Sequence, residues 1–422
     1  MESSLPLIHS EREVNMSLHA EALQLQPHLV NLRRSLHTEP EVGLNLPKTQ
    51  RKVLNALEGL PLEITLGEQL SSVVATLHGA HEGPSVLLRG DMDGLPLQEK
   101  TGLPYASSNG NMHACGHDLH TAGLVGAAKL LSGYRSKLHG SVIFMFQPGE
   151  ESYGGAKLMI EEGVLEAAGA PPIAAYGIHV SPGPKGTFVH RAGPALAGSN
   201  QLSIKVHGKG GHGSRPENAV DPVPALVKIA GSLGEMIASK FSPFDPVVLT
   251  VTQLKAGQAI NIIPETAELG ATVRTFSAEA IELLRHHTST FAAGIASSFG
   301  CTAEVELQVR YPVTMNDPFE TSEVAHTLEN LFGPNRVLQA PEPGMGSEDF
   351  SEILKRVPGS FFFLRASPPD VDHQTSAWNH SPEVLFDDGV LGDQALALAS
   401  LALNKLGQPH TLKPNARQHL IR

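Results

Sequence analysis

Residues 201–310 run in the order strand, helix, strand, strand, helix, strand, and this internal order dictates how the rest of the chain can be arranged. The strands span Gln201 to Val206, Val247 to Leu254, Glu265 to Phe276 and Thr302 to Arg310. The helices span Pro222 to Ser239 and Ala278 to Ser298. A β-α-β-β-α-β series predicts a ferredoxin-like α+β module of about 110 residues, the size of a small domain. The flanking sequence has another texture. Short apolar segments (Ser71 to Leu77, Ser85 to Arg89, Ser141 to Gln147, Ala174 to Val180) follow an opening helix, Leu18 to His37. Helical stretches at Thr121 to Leu131 and Ala156 to Glu162 lie between them, which predicts a largely parallel sheet covered on both faces. That texture returns after Tyr311-Pro312, with a helix near Asp349 to Arg356, a strand Ser360 to Arg365 and a final helix from Asp388 to Leu406. The expectation is an α/β domain, residues 1–196 and 312–422, interrupted by an α+β insert at 197–311. A chain of 422 residues is too long for one core and suits two domains.

Composition removes several functions. A formal net charge of -12 argues against nucleic acid as a partner, because phosphate binding needs a positive field. No run of 18 or more apolar residues is present, so no membrane-spanning segment is expected. Cys115 and Cys301, the two cysteines, form no disulfide framework, which favours a reducing, cytoplasmic setting. The residues ahead of Met16 lack the apolar stretch of a secretory signal and read as a disposable extension. Histidine is abundant, at 21 residues, and its clustering matters more than its number.

The densest cluster is His113-Ala-Cys-Gly-His-Asp-Leu-His120. Cys115 and His117 are two apart, and in extended chain that spacing points both side chains the same way. Thiolate with imidazole suits zinc and its borderline-soft neighbours. Glu150 and Glu151 follow the apolar strand Val142 to Phe146 through Gln147-Pro148-Gly149. Adjacent carboxylates there repel unless a cation satisfies one, leaving the other free to carry protons. His179 closes another strand, and Asp91 and Asp93 follow a third. In open α/β sheets, sites form beyond the carboxyl ends of strands, so these residues converge on one rim.

Six segments appear in order: 113–120, Gln147 to Glu151, Gly208 to Pro216, Asn261 to Pro264, Gly346 to Phe350 and Asn379 to Pro382. Together they resemble the metallopeptidase family of aminoacylases and carboxypeptidases. The nearest branch holds hippurate hydrolase, N-acyl-amino-acid hydrolases and plant indoleacetyl-amino-acid hydrolases. The resemblance covers about residues 28 to 405. It implies two divalent metals per subunit, zinc foremost with manganese or cobalt as alternatives. Cys115 would bridge them, with Glu151 and His380 completing one site and His117 and His179 the other. Glu150 would be the catalytic base and Asp93 a supporting carboxylate. The insert would be a lid and dimerisation domain. From it His212 would steady the oxyanion in a partner subunit, and Asn261 and Arg274 would grip the substrate carboxylate. The implied reaction is hydrolysis of an N-acyl amino acid by a homodimer, with a dipeptidase or aminopeptidase as the alternative. Gly213-Ser214, Ser347 and Gly94 depart from the usual family residues, which bears on substrate preference more than on chemistry.

Overall fold

The computed structural model describes residues 5–407. By contact density the chain forms two compact units: one comprises residues up to Gly193, Asn316–Pro341 and residues from Glu352 onward, the other Pro194–Met315 with Glu342–Ser351. The first unit opens with α1 (Leu5–His37), α2 (Pro47–Leu57), β1 (Glu63–Leu66), β2 (Val73–His78) and β3 (His81–Asp91). It continues through α3 (His117–Gly133), β4 (His139–Gln147), α4 (Gly155–Glu161), β5 (Ala174–Ser181) and β6 (Phe188–His190). The second unit contains β7 (Gly198–His207), β8 (Gly211–His212), α5 (Pro222–Lys240), β9 (Val248–Ala256), β10 (Ile262–Ile263), β11 (Thr266–Thr275), α6 (Ala278–Ser298) and β12 (Thr302–Tyr311). The chain then completes the first unit with α7 (Pro318–Phe332), β13 (Val337–Gln339), β14 (Gly359–Arg365) and α8 (Leu391–Leu406).

The first unit is built on an eight-stranded sheet in the order β1-β2-β4-β3-β5-β14-β6-β13. Its centre, β4-β3-β5-β14, is parallel, and antiparallel pairs join β2 to β4 and β14 to β6. From Val142 onward β4 is buried residue by residue, as a strand covered on both faces must be. The covering helices carry the matching signature. In α8 the run Ala-Leu-Ala-Leu-Ala-Ser-Leu-Ala-Leu combines strong helix formers with burial on almost every face. It packs on α3, where Gly126 allows close approach: a Cβ there would lie 2.7 Å from Ala395 Cβ and 2.8 Å from Leu29 Cδ1.

The second unit is a four-stranded antiparallel sheet, β9-β11-β7-β12, with α5 and α6 on one face. The first strand pairs with the third and fourth, which is the ferredoxin-like order expected from the sequence. Leu202, Ile204 and Val206 alternate inward along β7 and meet Leu226, Ile229 and Leu284. Asp221 and Ser277 cap the two helices by accepting the backbone N–H groups of Val223 and Ala280.

Several local readings change. The helix expected near Asp349 to Arg356 contracts to Ser351–Leu354. The final helix is preceded by a separate 3-10 turn, Asp388–Val390, set by the Asp387 side chain on Gly389 N–H. The backbone helix of α1 starts at Leu5 and runs through Met16, so the residues before Met16 from Leu5 on are continuous with it. Strand β1 is exposed along its length, so its polar–apolar alternation, Glu63 to Leu66, marks no buried face. Among the described residues no helix is long and apolar enough to cross a membrane.

Candidate metal centre

Three neighbouring parallel strands deliver side chains to one edge of the first unit's sheet. β3 ends at Asp91 with Asp93 just beyond, β4 leads through Gly149 into Glu150-Glu151, and β5 carries His179. Cys115 and His117 arrive at the start of α3, and His380 comes from the loop after β14. The turn into α3 corrects the extended-chain reading of Cys115 and His117. Gly116 is left-handed, with φ of 85°, and His117 already begins the helix. A Cβ at Gly116 would also lie 2.3 Å from Val180 Cγ2, so glycine is required twice over.

Two groups of three ligand atoms share one thiol: Cys115 with His117 and His179, and Cys115 with Glu151 and His380, each within 4.8 Å of one another. Cys115 Sγ lies 3.3 Å from His179 Nε2, and His380 Nε2 lies 2.9 Å from Glu151 Oε1. His117 is fully buried, yet neither ring nitrogen makes a well-formed hydrogen bond, and Glu151 Oε1 has only the neighbouring imidazoles beside it. Buried polar atoms left so are costly, and a divalent cation among them satisfies the whole set. The donors, one thiolate, three imidazoles and a carboxylate, therefore fit a metal pair.

The surroundings fix these ligands. His179 Nδ1 donates to Val180 O at 2.7 Å, which leaves Nε2 as the free lone pair. Val180 N–H donates to His120 Nε2 at 2.8 Å, so His120 carries its proton on Nδ1 and gives it to Asp91 Oδ1. Arg89 in turn pairs with Asp91 at 2.6 Å. Asp93 accepts the backbone N–H groups of Glu150 and Glu151, both at 3.1 Å, and its Oδ1 stands 3.4 Å from His117 Nδ1. It thus holds the diglutamate turn and faces one ligand. Asn379 Nδ2 donates to the carbonyls of Cys115 and Val180, at 3.3 and 3.2 Å, tying the His380 loop to the segments that carry Cys115 and His179.

Electrostatics follow from this crowding. Burial disfavours a charged His117, but the Asp91 carboxylate and the close approach of Asp93 and Cys115 hold its pKa well above normal. Hydrogen bonding to Cys115 and Glu151 pushes His380 up to about 10 against its burial. Burial, aided by the neighbouring His120, holds His179 well below the usual imidazole range. Burial likewise lowers His113 to about 3, and this first histidine of the octet joins neither ligand group. Ser152 and His380 are the non-glycine residues with positive φ among the described residues, at 74° and 69°. Both flank or form the centre, where backbone strain tends to concentrate.

Glu150 is buried and lies with Glu151 and His117 in a further group of close ligand atoms. His212, Asn261 and Arg274 lie in the second unit. Strand β8, ending at His212, pairs with β10, and Gly213 N–H donates to Asn261 O at 2.8 Å, which places His212 and Asn261 side by side. Arg274 Nη1 meets Ser199 Oγ at 3.0 Å and Thr272 Oγ1 at 3.2 Å.

Asp91, which the sequence places on the rim, forms a supporting layer with His120 and Asn379, and that role was not read from the sequence. Their signal was proximity in sequence to ligands, which does not tell a ligand from its support.

A cage of this donor chemistry at the carboxyl rim of an α/β sheet, with a second buried glutamate beside it, defines a divalent-metal amidohydrolase. The chain belongs to peptidase family M20/M25/M40, whose model matches residues 87–402. It is 36% identical to an N-acetylcysteine deacetylase of Bacillus subtilis over 89% of this chain and 96% of that one. It is 33% identical to hippurate hydrolase of Campylobacter jejuni over 93% of this chain and all of the relative. The crystal structure of the YXEP protein of Bacillus subtilis, a dinuclear metal-binding peptidase of the M20 family, superposes with a TM-score of 0.79 at 33% identity, covering 90% of this chain and 98% of that one. The protein is thus a metal-dependent hydrolase of amide bonds.

Proposed function

We propose that the enzyme hydrolyses N-acyl amino acids to a carboxylic acid and a free amino acid, with two divalent ions for which Cys115 would be a shared ligand. The observation that carries the reading is the pair of ligand groups sharing one thiol, with Glu150 beside them. Cys115, Glu151 and His380 would hold one ion, and Cys115, His117 and His179 the other. Zinc fits a thiolate with imidazoles best, and manganese or cobalt are the alternatives. The bound metal supplies Lewis acidity that brings the pKa of water to about 7.

The protein's own groups supply the rest. Glu150, separated from Glu151 in role though adjacent in sequence, takes the proton of the attacking water and returns it to the leaving nitrogen. Asp93 keeps the two carboxylates in register by gripping both backbone N–H groups. We propose a catalytic domain, residues 1–196 and 312–422, with the insert 197–311 as lid and dimerisation domain. From the insert His212 steadies the oxyanion in a partner subunit, and Asn261 and Arg274 bind the substrate carboxylate. Arg274 suits that task because a guanidinium offers paired donors in fixed geometry, and its contacts here are neutral acceptors.

The deciding experiment is a hydrolysis screen on metal-loaded protein, with N-acetyl and N-benzoyl amino acids set against unblocked dipeptides and metal content measured on the same sample. Release of free amino acid from the acylated compounds is expected. Preference for unblocked dipeptides would replace this reading with a dipeptidase.

A further inference from the structure

Arg365, the last residue of β14, lies close to the centre yet has no role in it. Its register partner is Ser181, two positions beyond His179 on β5. Residues two apart on a strand share a face, so Arg365 stands on the His179 face, further out along the rim. Its Nη1 donates to Ser181 Oγ and to Pro182 O, both at 2.9 Å. Its guanidinium lies 5.7 Å from the ring centroid of Trp378, two residues before His380. Trp378 is 56% exposed.

Three other guanidiniums of this unit have carboxylates: Arg33 has Asp118 and Asp388, Arg89 has Asp91, and Arg336 has Asp393. Arg365 has none among the described residues, and its Nε and Nη2 donors meet no protein acceptor. Burial lowers its pKa with no opposing charge nearby. A guanidinium is always charged, so a partly buried one held only by neutral acceptors is an unmet demand for an anion. The planar fork fits a carboxylate, and an aromatic face keeps the fork oriented without neutralising it.

We propose that Arg365, positioned by Trp378, is a specificity residue that binds a second carboxylate of the substrate. The preferred substrates are then N-acyl amino acids with two negative charges, the extra one in the acyl chain or in the amino-acid side chain. The proposal rests on the N-acyl amino acid reading above. If Arg365 only staples β14 to the 181–182 segment, its loss would affect all substrates alike.

Two measurements decide. The first compares kcat/KM for N-succinyl-alanine and N-acetyl-glutamate with the singly charged N-butyryl-alanine and N-acetyl-glutamine, in the wild type, Arg365→Met and Arg365→Lys. Arg365→Met is expected to lower at least one of the doubly charged substrates about 10- to 100-fold, leaving the other pair within about 3-fold, with partial recovery in Arg365→Lys. The substrate that responds identifies which half carries the charge. Equal loss on all four, or no loss on either doubly charged substrate, overturns the proposal. The second measurement does not need turnover. Trp378 is the single tryptophan of the chain, so its fluorescence reports on this position. Succinate and glutarate titrated into metal-loaded protein should change it saturably in the wild type and not in Arg365→Met. No saturable change in the wild type, or the same change in both proteins, overturns the proposal. If no N-acyl amino acid is cleaved but the titration contrast persists, the substrate reading falls and the anion subsite stands.

Discussion

The two units treat polar residues in opposite ways. In the first, Arg33, Arg89, Asp91, Asp93, His117, Asp118 and His120 are almost wholly inaccessible, packed among strands and helices that would otherwise be apolar. In the second unit, between Pro194 and Met315, the buried polar residues are Asn200, Thr275, Thr288 and Thr314, none of them charged, and His212 and Asn261 are exposed; its buried carboxylates, Glu348 and Asp349, are confined to the short Glu342–Ser351 segment. Burying charge is unfavourable unless every group is partnered, so the first unit has organised its fold around the rim. The second is an ordinary amphipathic sandwich of sheet and helices with candidate groups attached to its surface. Substitutions in the first unit should therefore disturb binding and stability together, while those in the second should alter turnover and leave the fold intact.

Cys115→Ala should produce the largest effect, because it removes the atom common to both ligand groups. Metal content measured by elemental analysis is expected to fall far below that of the wild type, and hydrolysis with it. Next comes His212→Ala. A lost oxyanion donor is worth about 100- to 1,000-fold in kcat, and the exposed side chain predicts an unchanged melting temperature. Mixing this variant with Glu150→Gln under subunit exchange should restore some activity through hybrid dimers, whereas no recovery after proven exchange breaks the assignment across subunits. His120→Ala tests the supporting layer. Losing a group that orients a ligand typically weakens metal affinity about 10- to 100-fold, here by freeing Val180 N–H and Asp91; unchanged affinity in a chelator competition would reduce His120 to packing.

The smallest effect concerns His37, whose ring lies between Asp118 at 2.8 Å and Glu99 at 3.1 Å. Burial opposes its charge, but the two carboxylates prevail and raise its pKa above the ordinary 6.5. A raised folded-state pKa means that its stabilisation is complete below 6.5 and is lost as pH climbs through the raised value. The stability difference between wild type and His37→Asn, followed by denaturant unfolding, should thus shrink as pH rises above 6.5. A difference independent of pH would mean that His37 contributes shape alone.

The contrast also explains what the sequence could disclose. The insert's order was legible because β7 and its neighbours alternate cleanly and their helices carry Asp221 and Ser277 as caps. The parallel core was legible from continuous apolar runs such as Val142 to Phe146. The ligand residues were visible by type, but the reason Cys115 and His117 meet was not, since it depends on the left-handed turn at Gly116 and not on extended chain. His380 was legible only through resemblance, because a positive-φ loop residue leaves no pattern. The layer formed by Asp91, His120 and Asn379 joins segments up to 264 residues apart, which no local spacing encodes.

The central claim is the division of labour within Glu150-Glu151, and Glu150→Gln measures it most directly. Metal content and the hydrolysis of an N-acyl amino acid should be determined on one preparation of that variant. Metal at the wild-type level with hydrolysis abolished is the expected result. Near-normal turnover with metal bound would contradict it.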